Sequence, residues 1–169
     1  STPLYSSAAS DVYKRQMKYD PHYYIQKIGD SIDSLPYVEV TVDNTKIIVV
    51  NIRAGRELIY KVYFTNFSKE ISGWYHNMST DEIVIFHCCE HYVNRFNERY
   101  LRRCKRDDIG RIRIFAKRIA KAQLVDQSIA LDPSKRLVNI IKIKAKGEYR
   151  HLHFITCYQS KEKVKKLLS

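Results

Sequence analysis

The sequence predicts one α+β domain, an antiparallel sheet built from hairpins with two or three packed helices. Three observations predict it. Period-two runs rich in Val, Ile and Tyr, separated by short turn signals, occupy residues 37–67 and 137–158. Between them, 90–103 and 107–123 carry apolar residues at helical spacing. A chain of 169 residues that is 44% hydrophobic, with only 5 Gly and 4 Pro, has apolar surface for a packed core and little for a long flexible linker.

Residues 1–16 read STPLYSSAASDVYKRQ, small-residue-rich and without periodicity, and stop just before Met17. They are expected to be a non-native adapter-derived leader or a disordered arm, leaving 17–169 as the single domain. They hold one Lys, one Arg and one Asp, so setting them aside lowers the net charge by a single unit.

Tyr19 to Ile32 is a short aromatic lead-in of helical character. Val38, Val40 and Val42 then alternate with Glu39, Thr41 and Asp43, which is strand periodicity. Asp43-Asn44-Thr45 is a turn signal, and the Ile- and Val-rich run Lys46 to Arg53 completes a hairpin. After a turn at Ala54-Gly55-Arg56, Leu58, Tyr60, Val62 and Phe64 share one face of a third strand ending at Phe67. Ser72 to Asp81 reads as loop, because Gly73 and Ser79-Thr80-Asp81 interrupt any alternation. Glu82 to Cys88 is β-branched and apolar, a buried strand.

Glu90 to Arg103 switches to helical period, and Asp107 to Gln123 follows as a second helix with Ile109, Ile112, Phe115, Ile119 and Ala122 as apolar marks. Asp107-Asp108 is placed to start that helix favourably. Asp132-Pro133-Ser134 is a turn; Leu137 to Ala145 and Tyr149 to Tyr158 form a second hairpin around Lys146-Gly147-Glu148. Ser160 caps a short basic helix to Leu168.

Thirty Lys plus Arg against 18 Asp plus Glu leave a net charge of +12. A field of that sign concentrates polyanions, so RNA or DNA is the expected partner. No run of about 18 uncharged apolar residues encodes a membrane span, so no membrane partner is expected. No charged segment followed by an apolar one suggests secretion, and a cytoplasmic setting is expected. Cys88, Cys89, Cys104 and Cys157 include no C-x-x-C pair, and read as reduced thiols.

The most informative segment runs from His91 to Leu101. With His91 at zero on a helical wheel, Arg95 lies near about 40°, Arg99 near about 80° and Glu98 near about −20°. One stripe therefore holds an imidazole, two guanidiniums and a carboxylate, while Val93, Phe96 and Tyr100 face a core with Tyr92 at their border. Metal-independent RNA cleavage needs a base for the 2′-hydroxyl, an acid for the leaving oxygen and cations on the phosphate. His titrates near neutrality, Arg offers a planar fork to phosphate, and Glu98 can orient His91 or pair with Arg95. The same stripe is otherwise a solvated helix face with one incidental His.

His91, Arg95 and Arg99 make H-x-x-x-R-x-x-x-R at the opening of a helix, and a later hairpin carries Thr156 in an apolar strand. This resembles the barnase–EndoU–colicin–RelE group of nucleases, and the helix is similar to one in phage and mobile-element proteins. The resemblance covers roughly Ile83 to Tyr158 and leaves the three N-terminal strands outside it. It implies a helix-plus-antiparallel-sheet fold and a metal-independent, toxin-like RNA endonuclease without cofactor. His91 would be the general acid or base, Arg95 and Arg99 phosphate clamps, Glu98 an orienting group and Thr156 a substrate contact. A protein antitoxin, or a phage or host protein, is the further partner it implies.

Arg150, His151 and Tyr158 are additional substrate-contact candidates. His151 and His153 alternate and so share one strand face, with Thr156 on the other unless a bulge intervenes.

Two other strings carry alternatives. His87-Cys88-Cys89-Glu90-His91 fits H-x-x-E-H, but a zinc protease needs both histidines on one helix, and His87 ends a strand-like run. A simple zinc site drawing on His87, Cys88 or His91 is a lesser alternative, and no metal is expected. Tyr23, Tyr24, Tyr60, Tyr63 and Tyr75 can stack on bases, which suits a non-catalytic nucleic-acid-binding protein. As ordinary half-buried sheet residues they suit equally a phage or plasmid accessory protein that binds another protein.

Overall fold

The computed structural model describes residues 19–101, 107–132 and 137–160, with 162 and 166. The elements are α1 (Pro21–Ile28), β1 (Tyr37–Val42), β2 (Thr45–Ala54), β3 (Glu57–Phe67), β4 (Ile71–Asn77) and β5 (Ile83–Cys88), then α2 (Glu90–Arg99) and α3 (Asp108–Ala120). β6 (Gln123–Leu124), β7 (Ile129–Asp132), β8 (Leu137–Lys146) and β9 (Tyr149–Gln159) complete the chain. The protein is α+β: among the described residues, a nine-stranded, mostly antiparallel sheet carries three helices. The expected leader, the expected turn at 133–134, residues 102–104 and most of the expected last helix lie outside the described residues; the two expected long helices are corrected, ending earlier at Arg99 and Ala120, with Gln123 already in β6.

Local chemistry accounts for the hairpins. The β1–β2 turn holds Asp43 and Asn44 at φ 49 and 63, the left-handed pair whose twist matches that of the flanking strands. Short polar side chains tolerate that region better than most. At the head of α1, Asp20 caps the helix by accepting from the His22 amide. Asp107 does the same for α3, accepting from Gly110 N at 2.8 Å.

The strand order is β1-β2-β3-β4-β5-β9-β8-β7-β6. Two antiparallel meanders, β1–β5 and β6–β9, are joined where β5 and β9 pair in parallel. Helices α2 and α3 lie in the crossover that such a pair requires. That junction is absent from the hairpin-only expectation, because hairpin signals are local and a parallel pair has no turn to announce it. The expected loop at 72–81 is corrected as well: Ile71–Asn77 is the interior strand β4. Its glycine, read as a breaker, is a packing requirement, since a Cβ at Gly73 would fall 1.8 Å from the Tyr63 carbonyl oxygen. The short strands β6 and β7, also unanticipated, extend the sheet beyond β8.

The two sheet faces are packed differently. On one, which we call the helix face, Phe115 of α3 meets Phe64, Phe67, Tyr92 and Phe96, with ring centroids 4.8–6.4 Å apart. Tyr92, fully buried, donates its hydroxyl to Asn139 at 2.6 Å and so satisfies itself inside that core. On the opposite face α1 covers Tyr63 and Trp74, which stack at 5.4 Å. The Tyr149 hydroxyl donates to Asp20 at 3.1 Å and ties β9 to the head of α1. Buried charges are paired: Lys61 with Asp33, and Arg118 with Asp132 at 2.7 Å.

Candidate functional site

Three groupings merit chemical scrutiny: the α2 stripe, a basic cleft beside α3, and a histidine cluster on the face opposite α2.

The α2 stripe forms as a helical ridge. His91 and Glu98 are exposed, and Arg95 Nη1 sits 2.9 Å from Glu98 Oε2, an i,i+3 pair. Arg99 instead turns toward the sheet and donates Nη1 to the Cys157 carbonyl at 2.8 Å. Tyr92, Val93 and Phe96 point into the core as their spacing predicts.

Thr156 does not join that ridge. The β8–β9 register slips between Ile140 and Ile141, so Ile141 pairs with Phe154 and Ile140 with Thr156. The extra residue, Ile155, resets the alternation. Phe154 and Cys157 both belong to the helix-face core, while Tyr158 packs on Val138 and Leu131 on the other side. Thr156, Tyr158, His151 and His153 therefore all face away from α2, across the sheet from His91. This corrects the expectation that Thr156 completes a site with His91, Arg95 and Arg99. It also resolves the expected opposition of Thr156 to the two histidines, because the bulge intervenes. Arg150 lies about 26 Å from Tyr158 along β9 at strand rise, and its Nη2 pairs with Glu82 at 2.9 Å.

The H-x-x-E-H string is split in the same way. His87 is the penultimate residue of β5 and faces away from α2 and α3, Cys89 is the N-cap of α2, and His91 is the second residue of α2. Burial raises the Cys157 thiol to about 12 and the Cys88 thiol well above its ordinary value, so neither is a ready nucleophile or ligand. Of the five tyrosines suited to base stacking, Tyr63 and Tyr75 are buried, Tyr24 and Tyr60 half-buried, and only Tyr23 is exposed.

The basic cleft, about 530 Å³, opens between β2 and α3. Arg113 and Lys117, one helical turn apart, line it from α3, and Arg53 lines it from the end of β2. Asn51 also lines it, and donates Nδ2 to the Ile32 and Leu35 carbonyls at 3.0 and 2.6 Å. β1 pairs with β2 only as far as Val50; beyond it the Asn51 amide donates to the Pro36 carbonyl, and Ser34 and Pro36 line the cleft. Arg53 is held by donating Nη1 to the Arg56 carbonyl at 3.1 Å and Nη2 to the Asp33 carbonyl, contacts that orient the guanidinium without neutralising it. No carboxylate is among the described residues that line this cleft. Sequence reading missed it, since Arg53 and Arg113 meet only through packing of α3 on the sheet.

The histidine cluster is built by the parallel junction. His87 of β5 pairs directly with His153 of β9, and His151 lies two residues back on the same face. The three rings stack, with centroids 4.5 Å apart for His87–His153 and 5.2 Å for His87–His151. His87 Nε2 and His151 Nδ1 are 3.0 Å apart. Burial, then mutual repulsion with the neighbouring imidazoles and lysines, pushes His87 and His151 down to about 4 and His153 in the same direction. All three are thus neutral near pH 7. Sequence alternation puts His151 and His153 on one face, and His87 is a possible ligand by sequence, but nothing local joins it to those two.

None of the described helices is long and apolar enough to cross a membrane. Comparison with protein-family models, with curated proteins and with solved structures found no match to this chain, so the functional reading rests on its own residues.

Proposed function

We propose that the protein binds nucleic acid, RNA or DNA, and that the cleft between β2 and α3 receives the sugar–phosphate chain. The supporting observation is a groove lined by Arg53, Arg113 and Lys117, with no acidic lining residue, in a chain of net charge +12. Phosphates entering it meet two guanidinium forks and an ammonium, and the counterions they release drive association. Such contacts fix position on the backbone and carry no base information, so binding through this cleft is tolerant of sequence.

The test is binding of a labelled 20-nucleotide RNA, and of the same DNA sequence, across a salt series. Affinity is expected to fall steeply with salt, and Arg113→Gln or Lys117→Gln to weaken binding several-fold. Each should reduce the log–log salt slope by about 1 if it removes one phosphate contact. Binding that ignores salt, or that both variants leave untouched, would remove the cleft from function.

RNA cleavage by α2 is a second reading, favoured by one observation: His91, Arg95 and Glu98 share an exposed ridge, with the guanidinium already beside the carboxylate. It assigns His91 as acid or base and Arg95 and Arg99 to the phosphate, without Thr156. Cleavage of mixed RNA in EDTA that disappears in His91→Ala supports it. Cleavage retained in that variant removes His91 from the chemistry.

A further inference from the structure

We propose that His87, His151 and His153 form a binding site for a divalent transition metal of the zinc type, held by three imidazoles with the fourth position open to the cleft beside β4. Each imidazole contributes one nitrogen, and these ligand atoms all lie within 4.8 Å of one another. A tetrahedral ion at about 2.0–2.1 Å from each nitrogen needs nitrogens about 3.3 Å apart. The widest pair has to close by roughly 1.5 Å, within reach of side-chain rotation on a fixed backbone. As stacked, the rings do not aim at one point, so binding turns at least one of them and breaks the contact between His87 Nε2 and His151 Nδ1.

Three further observations point to a ligand rather than to packing alone. His151 Nε2 and His153 Nε2 are buried without a hydrogen-bond partner, and His151 is only 2% exposed. An unsatisfied buried polar atom is costly, and an ion offers one of them a strong partner. Secondly, the imidazoles are held neutral, which is the ligating form, so an ion displaces few protons. Thirdly, His87 and His153 line a cleft of about 320 Å³ whose one acidic lining residue is the exposed Glu70, so an ion has an entry path and a carboxylate near its mouth.

The adverse feature is equally specific. Lys142, Lys144 and Lys146 share this sheet face, paired across from His153, His151 and Tyr149. Their charge weakens the site for a bare cation and favours an anionic fourth ligand, such as hydroxide or a phosphate oxygen. Three neutral ligands and one open position are the make-up of catalytic rather than structural zinc centres.

The experiment uses the full chain, stripped with EDTA and dialysed, then titrated with Zn²⁺ by calorimetry and with Co²⁺ by visible absorption. The expected result is one ion per chain, a tetrahedral Co²⁺ spectrum without a thiolate charge-transfer band, and a thermal midpoint that rises with free Zn²⁺. His87→Gln and His153→Gln should weaken binding at least about 100-fold, beyond the range expected for changes to a residue that only orients a ligand. His76→Gln and His91→Gln should leave it unchanged. Circular dichroism of the variants in EDTA separates a lost site from a lost fold, and His87, only partly buried, remains informative if His151→Gln does not fold. Substoichiometric binding in the wild type, or binding unaffected in folded His87→Gln and His153→Gln, overturns the proposal and leaves the trio a packing cluster. Nucleic-acid affinity measured in EDTA is independent of either outcome.

Discussion

His87 and His91 are four residues apart in sequence and stand on opposite sides of the sheet. His91 is exposed on the first turn of α2, with neighbours supplied by helical spacing: Arg95, Glu98 and Arg99. His87 is set into a stack with His151, 64 residues away, by the pairing of β5 with β9. The first arrangement is local and solvated, and Arg99 is drawn to a backbone carbonyl. The second is non-local, largely dehydrated and held by backbone register. Concentrating reactive groups is therefore done here by the sheet, while the helix that carries the more recognisable pattern leaves its groups in water. Dehydration shifts protonation and gives ligands strength, and a solvated stripe gains little of either.

Three measurements would break or sharpen that contrast, beyond the two binding tests. The largest effect is expected at Gly73, which follows Ser72, the β4 partner of His87. A Cβ there collides with the Tyr63 backbone, so β4 has to move against β3. Gly73→Ala should cost at least about 3 kcal/mol in urea unfolding. A loss under about 1 kcal/mol would mean the sheet yields easily and does not hold the histidines by rigid register.

The next effect is in pH. The folded-state values of His87, His151 and His153 are depressed below the unfolded value near 6.5. The unfolded chain therefore takes up protons first as pH falls, and stability measured in EDTA should decline from about pH 6.5 toward 4. The share owed to His87 or to His151, taken as the difference between wild type and its Gln variant, should be on the order of 1–2 kcal/mol after allowance for partial exposure, with His153 contributing in the same direction. A wild-type profile that parallels those of His87→Gln and His153→Gln through that window would show the trio to be hydrated like His91.

The smallest effect is His91→Ala itself. An exposed side chain with no described hydrogen-bond partner should change stability by less than about 0.5 kcal/mol. A larger loss would show that α2's polar face supports the fold and is not free to serve chemistry.

The sequence by itself determined the α+β class, the hairpins β1–β2, β2–β3 and β8–β9, both crossover helices and the buried side of α2. Each of these rests on interactions between residues near in sequence, whose periodicity and turn chemistry are visible along the chain. It also showed that His151 and His153 share a strand face. Only the tertiary structure decided that β4 is a strand, since Gly73 is explained by Tyr63 and by nothing beside it. The same holds for the junction of β5 with β9, the slip at Ile140 that carries Thr156 away from α2, and the meeting of Arg53 with Arg113. These are outcomes of long-range pairing, where one residue of register moves a side chain from one face of the sheet to the other, and no local pattern records which register wins.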